Sequence, residues 1–225
     1  MRAFYGDPPI FVRMTVYLLP GVGCDRRLFS RLDLHEVKVK VVEWPPFPPG
    51  CSLREMALAV LPQVDATHPH VLAGVSLGGM VAQELAMFTK PEKVVLISSW
   101  TGPWEWPRYV HWASTLHLPA LISPFAMWFA WPLKRALGPR PADVDRLLWE
   151  MALAQGAGKI RRGVQAVLRW EGSRWSGPVV RIHGSGDRVI PLRFPVDHVV
   201  RGGEHIMVLT RAVEVGHAIE QAIRA

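Results

Sequence analysis

The chain has 225 residues, of which 49% are hydrophobic and 20% charged, and this balance predicts a globular protein with one sizeable core. A formal net charge of +7 would suit a nucleic-acid-binding protein, but the arginines are scattered and no nucleic-acid-binding module is recognisable. Cys24 and Cys51 have neither CxxC nor metal-ligand spacing, so free thiols in a reducing compartment are expected. The first residues lack a signal-peptide pattern and the longest uncharged run is broken by prolines, so we expect a cytoplasmic protein without a membrane span.

Short apolar runs alternate with helical patterns along the chain and predict a parallel sheet. The first run, Thr15–Leu19, is apolar throughout, as in a strand buried on both faces, and the residues ahead of it look dispensable for the fold. The other five runs lie at 37–42, 71–75, 94–99, 177–183 and 198–200. The predicted fold class is therefore α/β, with a mostly parallel sheet of about six strands flanked by helices.

Local signals place helices between these strands. Ser52 and Glu55 form a capping box that starts a helix carrying an apolar face through Leu61. A second helix is predicted from about Leu77 to Thr89, and a last helix from about 209 to 224.

The pentapeptide Gly-Val-Ser-Leu-Gly at 74–78 joins the third strand to the helix that follows it. It has the Gly-x-Ser-x-Gly form of a nucleophile elbow, which places the Ser76 hydroxyl at the tip of a sharp turn. Glycine is expected at 74 and 78 because a Cβ at either position would collide with neighbouring backbone. Taken alone, the pentapeptide is also compatible with a plain strand–turn–helix connection, although the nucleophile elbow is the favoured interpretation, so the later loops decide its role.

A serine hydroxyl becomes a nucleophile only with a base, and the base needs an acid that orients it. Asp187 follows the fifth strand and His205 the sixth, so both fall at the carboxyl edge of the sheet, where Ser76 also lies. Asp197 is a rival acid that is less suited because it starts a strand, and Asp187 has the alternative role of a turn residue. We predict Ser76 as the nucleophile, His205 as the base and Asp187 as the orienting acid.

Two backbone N–H groups are predicted to form the oxyanion hole, one from Leu77 and one from Val22 in the loop after the first strand. This chemistry needs no cofactor. His68 and His70 lack a third ligand, so no metal site is predicted. His183, at the end of the fifth strand, is expected to be structural.

The composition changes after the fourth strand, and residues 102–175 are predicted to form a helical lid inserted into a core of 1–101 and 176–225. Residues 100–175 hold nine of the ten tryptophans, and helical patterns run over Leu116–Leu137, 142–154 and 159–170. Peripheral packing accounts for most of these aromatic residues. Trp100, Trp104 and Trp128 are the candidate residues of a substrate pocket.

Four segments, in this order, resemble the α/β-hydrolase superfamily, and the resemblance covers nearly the whole chain. They are Leu-Pro-Gly-Val-Gly at 19–23, Gly-Val-Ser-Leu-Gly-Gly at 74–79, His-Gly-Ser-Gly-Asp-Arg-Val-Ile-Pro at 183–191 and Gly-Gly-Glu-His at 202–205. The third resembles the acid loop of the family and the fourth its histidine loop. The chain is similar to small bacterial hydrolases without a firmly assigned substrate. It departs from the family pattern at Pro20, where many relatives carry histidine, and in its shortened N-terminal part.

The resemblance implies a serine hydrolase of the carboxylesterase or thioesterase type, acting on an ester or thioester with an apolar acyl or aryl group. The same scaffold hosts carbon–carbon bond hydrolases, lyases and cofactor-free peroxidases, and a catalytically silent ligand-binding protein is a further alternative. Serine at position 76 excludes the aspartate-nucleophile branch of dehalogenases and epoxide hydrolases.

The charge distribution adds a candidate partner. Residues 103–175 carry ten Lys and Arg against five Asp and Glu, so an acidic acyl-carrier protein could be steered to the lid. A solvated arginine-rich surface is the simpler interpretation of the same charges.

Overall fold

The computed structural model describes residues 14–35, 37–115 and 141–224. Its strands are β1 (Thr15–Leu19), β2 (Lys38–Val41), β3 (His70–Val75), β4 (Lys93–Ile97), β5 (Val179–Gly184) and β6 (His198–Val200). They form a six-stranded sheet in the order β2-β1-β3-β4-β5-β6, and every neighbouring pair is parallel. The predicted α/β fold and the six-stranded sheet are confirmed.

Helices cover both faces of this sheet. They are α1 (Leu53–Val60), α2 (Leu77–Thr89), α3 (Arg108–Thr115), α4 (Ala142–Leu168), α5 (Met207–Thr210) and α6 (Ala212–Arg224). The single helix predicted at the C-terminus is in fact two, because the backbone of Arg211 leaves the helical region between α5 and α6. Within the three described ranges, no helix combines the length and the apolar composition that crossing a bilayer requires.

The central strands contribute side chains to two separate cores. Tyr17, Leu19 and Leu72 pack with the helices α1 and α2 on one face of the sheet. Val16 and Leu18, at the alternate positions of β1, pack with α5 and α6 on the other face. Because both faces are covered, these strands appear in the sequence as continuous apolar runs rather than alternating ones.

The predicted capping box at the start of α1 is confirmed. The Ser52 hydroxyl accepts a hydrogen bond from the Glu55 N–H at 3.2 Å, and the Glu55 carboxylate accepts one from the Ser52 N–H at 2.7 Å. These reciprocal bonds satisfy donors that a helix N-terminus would otherwise leave unpaired.

Between β4 and β5, the described residues 102–115 and 141–175 contain α3 and α4 and no strand. Helix α4 bends at Gly156, where φ is 75° and ψ is 148°, so it consists of two helical segments close to those expected at 142–154 and 159–170. The helix expected over 116–137 lies outside the described residues, as do residues 1–13. The lid role of this region stays a prediction.

The turn between β3 and α2 presses two backbone segments together. A Cβ on Gly78 would lie 2.6 Å from the Leu19 carbonyl carbon, and a Cβ on Gly74 would overlap the backbone of Gly78 and Gly79. Non-bonded carbon atoms do not approach so closely, so the expected requirement for glycine at 74 and 78 is confirmed.

We therefore expect Gly78→Ala to lower the free energy of unfolding by about 3 kcal/mol or to prevent folding, because the obstructing atoms are backbone and cannot rotate away. Gly158→Ala in α4 is the matched control, since the nearest atom to its Cβ would be the flexible Arg162 guanidinium at 3.6 Å. Its stability should change by less than about 1 kcal/mol. Urea unfolding followed by tryptophan fluorescence measures both, and equal unfolding midpoints for the two variants would contradict this account.

Candidate active site

Ser76 connects β3 to α2 in a backbone conformation that is unusual for a residue with a side chain, with φ at 53° and ψ at −120°. Its N–H donates to the Ile97 carbonyl on β4 at 3.0 Å, and its own carbonyl accepts from the Ser99 hydroxyl at 2.7 Å. These bonds hold the turn in place. Ser76 itself is partly exposed, whereas its neighbours Val75 and Leu77 are buried.

Two backbone N–H groups in the segments around Ser76 have no hydrogen-bond partner among the described residues. Leu77 is the first residue of α2, so the helix supplies no partner for its N–H, and among the described residues none is recorded for the Val22 N–H either. A Cβ on Gly21 would lie 3.6 Å from the Ser76 Cβ, which places the loop after β1 against the serine. A Cβ on Gly163 would lie 3.0 Å from Val22 Cγ2 and 3.4 Å from Leu77 Cδ2, so the two predicted oxyanion residues are neighbours.

The Asp187 side chain is fully buried and surrounded by hydrogen-bond donors. Its Oδ1 accepts from the N–H groups of Val189 at 2.9 Å and Ile190 at 2.8 Å, and its Oδ2 lies 2.9 Å from His205 Nδ1. Burial by itself raises the pKa of this carboxyl. The hydrogen bond and charge of His205 outweigh that effect, with help from the Ile190 N–H, and hold the pKa of Asp187 below its usual value.

His205 follows β6 and presents a partly exposed ring, with 15% of its side chain accessible. Because Nδ1 donates to Asp187 Oδ2, the neutral ring carries its proton on Nδ1 and leaves Nε2 free to act as a base. The loop that carries Asp187 contacts the loop that carries His205. The Gly186 N–H donates to the Gly203 carbonyl at 2.9 Å, and a Cβ on Gly184 would lie 2.5 Å from the Gly203 carbonyl carbon.

His183 also lies beside Asp187, a contact that the sequence analysis missed. Its Nε2 donates to the Ile190 carbonyl at 2.8 Å and lies 3.5 Å from Asp187 Oδ2. Burial lowers the pKa of His183, although the Ile190 carbonyl and the Asp187 charge act in the opposite direction. In the sequence, this contact is indicated only by the position of His183, four residues before Asp187 and across the turn at the end of a strand.

Other candidate groups are engaged elsewhere. The Asp197 carboxylate accepts from the Arg181 N–H at 2.7 Å, and no hydrogen bond to a histidine is recorded for it in the described ranges. Burial raises the pKa of the Cys24 thiol to about 12, and the neighbouring charge of Asp25 adds to this effect, so Cys24 stays protonated. In the part of the chain that the structure describes, no three His, Cys, Asp or Glu side chains are arranged to hold a metal ion.

The tryptophans predicted to line a pocket occupy different environments. Trp100 is 6% exposed, follows β4, and has its ring centroid 6.0 Å from that of Trp106, which the sequence analysis did not single out. The indole N–H groups of both are buried, without a hydrogen-bond partner among the described residues. Trp104 is 67% exposed and its ring lies over Gly102. Trp128 lies outside the described residues.

The lowered pKa of His183 has a consequence for stability. As the pH falls through the usual histidine range, the unfolded chain binds a proton at this position before the folded chain does, which favours unfolding. The free energy of unfolding should therefore fall between about pH 7.5 and about pH 5.5, and His183→Gln should lose less over this interval. His217→Gln, which replaces an exposed histidine of α6, should behave like the wild type. Chemical unfolding at the two pH values gives the comparison, and a full wild-type loss in His183→Gln would refute it.

Comparison with known proteins supplies the family. No curated protein matches the sequence, but residues 7–218 match the model of the alpha/beta hydrolase family. The structure is similar to a thermophilic esterase from Thermogutta terrifontis, with a TM-score of 0.72, 18% identity, and coverage of 94% of this chain and 89% of that one. It is also similar to an esterase from Exiguobacterium antarcticum, with a TM-score of 0.68, 14% identity, and coverage of 94% and 92%.

A third similar structure is RedJ, a thioesterase from the prodiginine biosynthetic pathway in Streptomyces coelicolor. Its TM-score is 0.65 at 18% identity, with coverage of 97% of this chain and 95% of that one. Identities this low establish a shared fold alone, whereas the family model spans nearly the whole sequence. The chain therefore belongs to the alpha/beta hydrolase family.

Proposed function

We propose that the protein is a serine hydrolase that cleaves an ester or thioester with an apolar acyl or aryl group, through an acyl-enzyme on Ser76. The observation that carries the proposal is the 2.9 Å hydrogen bond between Asp187 and His205, at the sheet edge where the elbow serine also lies. Esterases and a thioesterase among the similar structures agree with this reaction class.

The arrangement supports a two-step mechanism. His205 Nε2 accepts the Ser76 proton as Oγ attacks the carbonyl carbon, and the buried Asp187 carboxylate stabilises the imidazolium that forms. The Val22 and Leu77 N–H groups donate to the oxygen as it becomes negative. The intermediate then expels the alcohol or thiol, which takes the proton from His205. Water, activated in the same way, attacks the acyl-enzyme and releases the carboxylic acid and Ser76.

The acyl group is proposed to bind against Trp100 at the end of β4. The Trp100 ring lies beside that of Trp106, with the two ring centroids 6.0 Å apart, and adjacent aromatic rings suit an apolar acyl group. Trp104 is too exposed to form the pocket wall in this arrangement, and Trp128 keeps its predicted role.

Helix α4 supports the proposed lid role of residues 102–175. A Cβ on Gly23 would lie 3.3 Å from Ile160 Cδ1, and Gly163 of the same helix faces Val22 and Leu77. The second half of α4 therefore covers the proposed oxyanion hole, where it would exclude water from the developing charge. An acidic acyl-carrier protein is the proposed partner for delivery of a thioester, and the positive charge of this region would favour its approach.

Replacing the proposed nucleophile should abolish turnover. We expect Ser76→Ala to reduce kcat at least about 10⁴-fold across a panel of p-nitrophenyl esters and acyl thioesters of graded length. The folded variant should also lose covalent labelling by a fluorophosphonate probe. Ser30→Ala, which removes the hydroxyl of an exposed serine, is the matched control and should still be labelled. Equal labelling of Ser76→Ala and wild type would eliminate the proposed nucleophile.

The pocket assignment predicts a change in acyl selectivity. Trp100→Phe leaves space in the proposed pocket, so its kcat/KM ratio between long and short acyl esters should shift about 10-fold relative to the wild type. Trp104→Phe is the control, because the exposed Trp104 ring should leave that ratio unchanged. Identical ratios in the wild type and Trp100→Phe would place the acyl group elsewhere.

A further inference from the structure

Three cationic side chains of α4 and the segment directly after it lie along the loop that follows β2. The Lys159 ammonium donates to the Trp44 carbonyl at 3.0 Å, and the Arg169 guanidinium donates to the Cys51 carbonyl at 3.2 Å. Arg162 lies between them in sequence, and its Nε is buried without a hydrogen-bond partner among the described residues. We refer to Lys159, Arg162 and Arg169 as the cationic strip.

Among the described residues, the members of the cationic strip have no acidic partner, unlike Arg181 and Arg27. Arg181 forms an ion pair with Glu105 at 2.7 Å, and Arg27 pairs with Asp25 at 2.7 Å. In the described part of the chain, no ion pair with a carboxylate is recorded for any member of the strip. The hydrogen bonds from Ser52 lower the pKa of the Glu55 carboxyl, and the charge of Arg169 lowers it further. This carboxylate is already bonded to Ser52 in the capping box.

Two members of the strip repel each other. Burial lowers the pKa of the Lys159 ammonium, and the positive charge of Arg162 lowers it further. Like charges held together without a counter-ion raise the free energy of the folded protein, and a bound anion would remove that cost. The Arg162 Nε, which has no hydrogen-bond partner in the described part of the chain, would donate to such an anion.

The helix that carries the strip also reaches the proposed catalytic centre. Gly163 directly follows Arg162 and lies against Val22 and Leu77, the proposed oxyanion residues. Further along the chain, the Trp170 indole donates to Glu84 of α2 at 2.7 Å. The strip therefore runs beside α2 away from Ser76, and at the helical rise its ten-residue length corresponds to about 15 Å.

Sheet order places the Lys159 end of the strip and Trp100 on opposite sides of Ser76. Trp44, which accepts from Lys159, follows β2, whereas Trp100 follows β4. The strands β2 and β4 lie on opposite sides of β3, the strand that carries Ser76. With an acyl group bound near Trp100, the leaving group would lie on the side of Ser76 where Lys159 is found.

The far end of the strip opens into a recess. Arg169 lines a cavity of about 480 Å³ together with Arg54 and Arg174, and the carboxylates of Glu84 and Glu171 also line it. The two carboxylates are each bonded to a neighbour, Glu84 to the Trp170 indole and Glu171 to Arg174 at 3.5 Å. The cavity has room for a bulky group attached beyond an anion held by the strip.

We propose that Lys159 and Arg162, continued by Arg169, bind a phosphate ester on the thiol side of a thioester substrate. This inference rests on the proposed function. A guanidinium next to an ammonium offers several N–H donors and two positive charges, which match the oxygens and charge of a phosphate ester. A phosphopantetheine arm carries this group both in coenzyme A and on a carrier protein.

The test compares thioesters that share one acyl group and differ only on the thiol side: acyl-pantetheine, acyl-phosphopantetheine and acyl-coenzyme A. Arg162→Gln and Lys159→Gln should each lower kcat/KM about 10-fold for the two phosphorylated substrates, through KM, and leave acyl-pantetheine unchanged. Arg146→Gln removes the same charge from an exposed position of α4 and should change none of the three. A kcat/KM that is higher for acyl-coenzyme A than for acyl-phosphopantetheine, and that loses this advantage in Arg169→Gln, would identify free coenzyme A as the source of the phosphate ester. Equal kcat/KM for the two phosphorylated thioesters would show that the nucleotide part of coenzyme A is not recognised, as expected of a site for the carrier-bound arm.

Equal losses on all three substrates in Arg162→Gln, or the same selective loss in Arg146→Gln, would overturn the phosphate site. Binding of the free thiols to Ser76→Ala, measured by calorimetry, separates this inference from the proposed function. Phosphopantetheine should bind about 10-fold more tightly than pantetheine, and Arg162→Gln should abolish the difference. If the two thiols bind with this difference but the wild type does not hydrolyse the corresponding thioesters, the proposed function fails and the phosphate site stands. Equal binding of the two thiols overturns the site even where hydrolysis is observed.

Discussion

Ser76 can hold a positive φ only because glycine at 78 allows the start of α2 to touch the end of β1. The strained backbone costs about 1–3 kcal/mol, which the surrounding packing has to offset. The Ser76 N–H bond to Ile97 and the close contact of Gly78 with Leu19 supply that support from the two strands beside β3. The same contact brings the loop that carries Val22 against the serine. One close backbone approach thus positions both the proposed nucleophile and the proposed oxyanion donors.

The Asp187–His205 pair depends on a second constraint, the complete pairing of a buried carboxylate. An unpaired charge in this environment would destabilise the fold by several kcal/mol, so every oxygen of Asp187 needs a donor. The N–H groups of Val189 and Ile190 satisfy Oδ1, which leaves Oδ2 for the histidines. The contact of the acid loop with Gly203 then brings the histidine loop to the correct edge. The strands β3 to β6 are consecutive in the sheet, so the elbow and the pair share one rigid frame.

Local physics made much of this arrangement predictable from the sequence. Apolar runs located the six strands, the Ser52–Glu55 spacing located α1, and glycines at 74 and 78 marked the close turn. Contacts between distant segments were not predictable, because periodicity reports that a side chain is buried and not what it touches. The bond from Trp170 to Glu84 joins residues 86 positions apart. For the same reason the sequence did not indicate the approach of His183 to Asp187. Nor did it indicate that the indole N–H of Trp106 and the Nε of Arg162 have no hydrogen-bond partner among the described residues.

The assignment of Ser76 as the nucleophile is tested most directly by trapping the acyl-enzyme. Wild-type protein mixed with an excess of a slowly deacylated p-nitrophenyl ester would be acid-quenched within the first turnover and digested for peptide mass spectrometry. We predict one acyl group per chain, located on Ser76, formed at the rate of the p-nitrophenolate burst and absent from His205→Ala at the same time point. Product formation without an acylated peptide, or an acyl group on another residue, would contradict the mechanism.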